Sequence, residues 1–160
     1  PYSCGWHPYF RLGDAGIAEL ELQLPARHGI ATDAALIPLA GDAACQPLDS
    51  LPALDFRLAR PIGATAIDGC IADPVADADG TVHTRLRDPA SGRTVDVWQH
   101  GGLVHLFTGD TLARDARRAV AVEPVSAMTD AFNRADCAAA IRLPPGGRHR
   151  FRCGARFMQG

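Results

Sequence analysis

The sequence predicts an all-β chain of antiparallel strands, closed as a sandwich or a barrel. Three observations carry this. Alternation is plain in residues 17–24, with the apolar Leu20, Leu22 and Leu24 available to one face and Glu19, Glu21 and Gln23 to the other. Further short segments rich in β-branched and aromatic residues recur along the chain. Between them lie Asp79-Gly80, Asp88-Pro89, Gly101-Gly102 and Pro144-Pro145-Gly146-Gly147, which are turn chemistry. Sixteen glycines and twelve prolines in 160 residues leave little room for long helices.

In chain order, Gly5 to Phe10 reads as strand core, and residues 17–24 as the clearest half-buried strand. Strands are then expected at residues 81–86, 94–98, 103–107, 119–122, 138–143 and 150–157. Only residues 110–118 and 126–134 have the composition for a short helix or helical turn. No internal repeat or low-complexity linker divides the chain, so residues 1–160 are expected to form one domain.

The chain is 47% hydrophobic and 21% charged, with a net charge of −2. That composition gives a soluble globular domain with enough apolar residues for a core, not a disordered segment. The charge provides no field for nucleic acid or an anionic membrane, and suits a neutral small molecule instead. All sixteen basic residues are arginines, and they are scattered. No apolar run approaches the roughly 20 residues that span a bilayer, and no basic-then-apolar signal segment opens the chain. The five cysteines, Cys4, Cys45, Cys70, Cys137 and Cys153, are widely spaced and odd in number. Reduced, mostly buried thiols in a cytoplasmic protein are the reading they support.

Two positions stand out chemically. His7 sits in Gly5-Trp6-His7-Pro8-Tyr9-Phe10, and Glu123 in Val122-Glu123-Pro124. Together they form a candidate proton-transfer pair. Taken alone, each has an ordinary alternative: His7 as a hydrogen-bonded strand histidine, Glu123 as a solvated edge residue. Asp68, before Gly69, is by default a turn former. His83, His100 and His105 invite a metal site, but strand residues five apart, such as His100 and His105, are expected on opposite faces, so three ligands would not converge. The same odd spacing separates Cys4 from His7 and disfavours a thiol–imidazole nucleophile. Trp6, Tyr9 and Phe10 could stack on a ligand ring, or equally form sandwich core, and Phe10 in particular is expected in the core.

The His7-Pro8-Tyr9-Phe10-Arg11-Leu12-Gly13 run resembles the signature of the aldose 1-epimerase (galactose mutarotase) family. Further similar segments follow in the family's order: Leu22 to Arg27, Asp33 to Gly41 with its Leu36-Ile37-Pro38, Leu54-Asp55-Phe56-Arg57, Pro61-Ile62-Gly63 and Ala66-Ile67-Asp68-Gly69-Cys70-Ile71. Downstream come Asp88 to Val95, Leu106-Phe107-Thr108-Gly109-Asp110, Val120 to Pro124, Thr129 to Asn133 and Leu143 to Gly146. The resemblance covers nearly the whole chain but only the C-terminal half of the family's length.

That resemblance implies a galactose mutarotase-like supersandwich, incomplete on its N-terminal side. It implies anomer interconversion of a free aldose such as glucose or galactose, without cofactor or metal. His7 would be the general acid, Glu123 the general base and Asp68 the group that anchors sugar hydroxyls. The chemistry asks for one base to take the C1 hydroxyl proton and one acid to protonate the ring oxygen, then the reverse after rotation about C1–C2. A half-length sandwich has open edges, which implies pairing with another copy or a companion chain. Two other readings remain at this stage: a carbohydrate-binding module without turnover, and a sugar-phosphate epimerase using Arg11 or the arginines between Arg148 and Arg152.

Overall fold

The computed structural model describes residues 1–14 and 16–159. Among these the chain forms eleven strands: β1 (Tyr9–Phe10), β2 (Glu21–Gln23), β3 (Ala26–Ile30), β4 (Cys45–Pro47), β5 (Arg60–Pro61), β6 (Asp68–Pro74), β7 (Thr81–Arg87), β8 (Thr94–His100), β9 (Leu103–Phe107), β10 (Val120–Val125) and β11 (Arg152–Met158). Every pairing between them is antiparallel. They make a six-stranded sheet in the order β1-β10-β9-β6-β3-β4 and a five-stranded sheet in the order β11-β8-β7-β2-β5. The expected all-β, antiparallel sandwich is therefore the observed fold.

The two sheets close on one apolar core. The six-stranded sheet contributes Val104, Leu106, Val120, Val122 and Ile71; the other sheet contributes Leu22, Val82, Leu86, Val95 and Val97, all buried. Around them pack Phe56, Leu48, Ile62 and Ile67, which come from the segments between strands. Gly69 makes one of these contacts possible. A Cβ there would come within 2.8 Å of Leu54, so glycine lets the 3₁₀ turn Pro52–Leu54 lie against β6. Phe10 is buried in this core, as expected.

The strands expected at residues 81–86, 94–98, 103–107, 119–122 and 150–157 correspond to β7, β8, β9, β10 and β11. Others differ. Residues 17–24 split into a 3₁₀ turn (Ile17–Glu19) and β2, because Leu20 N–H turns back to the carbonyl of Ile17 before the chain extends. The inward leucines Leu20, Leu22 and Leu24 keep the predicted face. Residues 138–143 form no strand; the alanine run favours a helical turn, with Ile141 N–H donating to Cys137 O. The helix expected at residues 110–118 is interrupted by left-handed backbone at Asp115 and Arg117. Asp130, also left-handed, limits residues 126–134 to the 3₁₀ turn Ala131–Asn133. All five cysteines are free thiols, and among the described residues no helix is long and apolar enough to cross a membrane.

Candidate active site

Strand periodicity builds the site. In β9 and β10 the even-numbered residues Val104, Leu106, Val120 and Val122 point into the core, so the odd-numbered residues face outward. Register then aligns them: Glu123 of β10 pairs with His105 of β9, and His105 pairs with Cys70 of β6. One step along, Asp68 pairs with Phe107. Five side chains from three adjacent strands thus share one outer face. The N-terminal segment adds a sixth. Gly5 bridges to Val125, and Tyr9 pairs with Ala121, which brings His7 alongside Glu123.

These residues line a cleft of about 400 Å³ with Phe107, Val125, Ala127, Met128 and Thr129. His7 Nε2 lies 3.1 Å from Glu123 Oε1, and His105 Nε2 lies 2.9 Å from Asp68 Oδ1. The first pair is asymmetric in exposure: the side chain of Glu123 is 10% exposed, that of His7 54%. His7 also stacks on Tyr9, with ring centroids 5.0 Å apart, which fixes the plane of its imidazole.

Burial pushes the Glu123 carboxyl above its usual range; His105 and His7 pull it back, and Asp68 pushes it up again. A carboxylate raised in this way is a stronger base when ionised. Cys70, buried beneath the row, is pushed up to about 12, first by burial and then by the charge of Glu123. At neutral pH it is a neutral thiol that packs beside the carboxylate and offers no nucleophile.

The structure brings together all three residues singled out from sequence, His7, Asp68 and Glu123. It adds His105, which sequence reasoning set aside. The opposite-face argument for His100 and His105 does not apply, because the turn at Gly101-Gly102 separates them into β8 and β9. His83 pairs instead with Asp96 at 2.8 Å and approaches Asp77 at 3.5 Å, away from the cleft. Cys4 approaches His149, with Sγ 3.9 Å from Nδ1. Trp6 and Tyr9 are exposed, and Trp6 meets Phe10 edge-on. The signal that would have found His105 was the alternation of residues 103–107, which sets it outward between Val104 and Leu106.

Comparison with known proteins gives this arrangement its context. The sequence profile of the family described as aldose 1-epimerase matches residues 1–156. No curated protein sequence gives a match. Among solved structures, the GalM/aldose epimerase homologue from C. elegans superposes with a TM-score of 0.71 at 16% identity, covering 98% of this chain and 51% of that one. A protein proposed to be an aldose 1-epimerase, from Escherichia coli K12, superposes with a TM-score of 0.63 at 20% identity, covering 99% and 51%. The chain therefore spans about half the length of these structures, and at such identities they speak to the fold alone. The family match, running through nearly the whole chain, makes it a member of the aldose 1-epimerase family.

Proposed function

We propose that the chain carries the proton-transfer site of an isomerase that interconverts the α and β anomers of a free aldose such as glucose or galactose. The observation that carries this reading is the direct approach of His7 to a buried, raised Glu123 in a polar cleft. The two substrate groups that must exchange protons with the protein, the C1 hydroxyl and the ring oxygen, are both bonded to C1. An acid and a base side by side suit that requirement. Glu123, ionised, takes the hydroxyl proton; His7, protonated, gives one to the ring oxygen, and the C1–ring-oxygen bond breaks. After rotation about C1–C2 the transfers run backwards. Asp68, which His105 braces, holds sugar hydroxyls beside them in this reading. No step calls on a bound cofactor.

The direct test is anomer interconversion followed by polarimetry or NMR. Glu123→Gln and His7→Asn are each expected to lower kcat by about 10²–10⁴-fold, the usual contribution of a positioned acid or base. Wild-type turnover no faster than either variant would remove the catalytic reading. The openness of the cleft around His7 favours one rival, a carbohydrate-binding module without turnover. Sugar binding by titration together with absent turnover would establish it.

A further inference from the structure

Beside the cleft lies a second compartment of about 220 Å³, which shares Asp68, Cys70, His105 and Thr129 with it. Its other wall is a small hairpin. Thr32 bridges to Pro38, Asp33 N–H donates to Ile37 O, and Asp33 Oδ1 accepts from the N–H groups of Ala35 and Ile37. The tip exposes Leu36 and Ile37, with Leu36 in left-handed backbone at φ 62°. By itself such a tip has little to hold it against the sheet.

One side chain holds it. Arg134 Nη1 donates to the carbonyls of Pro38 at 2.9 Å and Leu39 at 2.8 Å, while Nη2 donates to Asp136 at 2.6 Å. Arg134 closes the loop that follows β10, and that loop supplies Ala127, Met128 and Thr129 to the cleft. The guanidinium therefore ties together the two segments that wall the site, although they are far apart in sequence. Its side chain is only 8% exposed, and its Nε is buried with no partner among the described residues. A buried guanidinium with an unsatisfied N–H is costly, and a hydrophobic contact would close two loops more cheaply.

We propose that Arg134 is a positioning residue: by fastening the hairpin of residues 32–38 to the loop after β10, it fixes the width of the compartment in which a sugar seated on Asp68 is gripped. This rests on the mutarotase reading above. Arg134 touches neither His7 nor Glu123, so its role falls on binding rather than on proton transfer.

The test compares wild type, Arg134→Ala and Arg134→Lys, with Arg57→Ala as a control that breaks an arginine tie to Asp49 and Asp55 outside the cleft. Hydrogen exchange should quicken in both residues 33–39 and residues 126–133 of Arg134→Ala, with β6 and β9 unchanged. Lysine cannot span both carbonyls and Asp136 at once, so it should restore this only in part. With glucose or galactose as substrate, KM should rise about tenfold or more while kcat stays within about threefold, because a charged fork of hydrogen bonds is lost outside the reacting groups. Millimolar guanidinium should bring KM of Arg134→Ala back towards wild type, and Arg57→Ala should leave KM unchanged. Exchange that quickens everywhere or in one loop alone, or a fall in kcat at constant KM, would overturn the proposal. A wild type that neither turns over nor binds sugar defeats the mutarotase reading and the gripping role with it; the exchange result then decides the loop tie separately.

Discussion

The link between β8 and β9 offers the sharpest test of how the site is held. Gly101 and Gly102 carry the chain from the five-stranded sheet to the six-stranded one, and both adopt left-handed backbone, at φ 72° and 76°. Their surroundings differ. A Cβ on Gly101 would meet nothing within 4 Å. A Cβ on Gly102 would run into the carbonyl oxygen of Val125 and lie 2.9 Å from the ring of Phe151. Gly101→Ala should therefore cost only the left-handed conformation, about 1–2 kcal/mol. Gly102→Ala adds overpacking of about 1–3 kcal/mol, and the obstacle is backbone of β10, which cannot swing aside like a side-chain tip. The expected total is about 2–5 kcal/mol. Urea unfolding followed by circular dichroism reads both values, provided the slope m is unchanged. The effect should reach the site as well. Leu103 pairs with Val125, and the next outward residues along each strand are His105 and Glu123. Gly102→Ala should thus lower turnover per folded molecule, whereas Gly101→Ala should not. Equal destabilisation by the two substitutions, within about 0.5 kcal/mol, would refute the steric argument.

Other outcomes follow from the same geometry. In the proposed role of base Glu123 must be ionised, and burial raises its carboxyl, so turnover should fall with decreasing pH through a value above the ordinary carboxylate range. His105→Ala removes a charge that opposes that rise and should move this acid limb to higher pH, read from kcat against pH. The same shift bears on stability. A raised carboxyl contributes stability that is full below its unfolded value and lost as pH rises through its folded value. Glu123→Gln should accordingly melt at a higher temperature than wild type at pH 7–8, and the gap should close on acidification; a lower melting temperature at pH 8 would contradict the assignment. Val122→Ala, one residue away but facing the core, should do the reverse. It should lose about 2–3 kcal/mol in urea unfolding with turnover per folded molecule intact.

What the sequence revealed and what it concealed divide along one physical line. Strands with one wet face were legible, because alternation survives only where one side meets water: β7, β9 and the leucines of β2 are of this kind. Of the strands covered on both faces, the valine-rich β8 and β10 could still be read, but β3 and β6 could not. In β6, Gly69, Cys70, Ile71 and Ala72 are all buried, and the motif around Asp68 did not look like a strand. In β3 the buried residues include Ala26, Gly29 and Ile30, with no period to read. Glycine hides such strands further, since Gly29 and Gly69 are there to admit leucines from the 3₁₀ turns, a requirement visible only in space. The failed strand at residues 138–143 is the converse, a run of alanines that fits many conformations and fixes none. For the candidate site, motif order proposed His7, Asp68 and Glu123, whereas His105 needed register. The turn at Gly101-Gly102 could be read from sequence, but not that it crosses from one sheet to the other, which sets His100 and His105 apart.

That crossing explains why chemistry and stability are so closely interleaved along the chain yet separable. Each site strand alternates a core residue with a cleft residue: Leu106 beside His105 and Phe107, Val122 beside Glu123, Ile71 beside Cys70. The core residues fix the height and register of the strand. Register, in turn, sets Glu123 opposite His105 and His105 opposite Cys70. A slip of one residue in β10 would bury Glu123 in the core and place Val122 in the cleft, so the hydrophobic pattern that folds the sandwich also specifies which groups meet in the site. The cost of that arrangement falls on Glu123. It is held where its charge is poorly solvated, against a thiol that stays neutral, and His105 and His7 offset part of the loss. A carboxylate kept in such a place by the packing of its neighbours is poised to accept a proton, because accepting one relieves the strain that the strand register imposes.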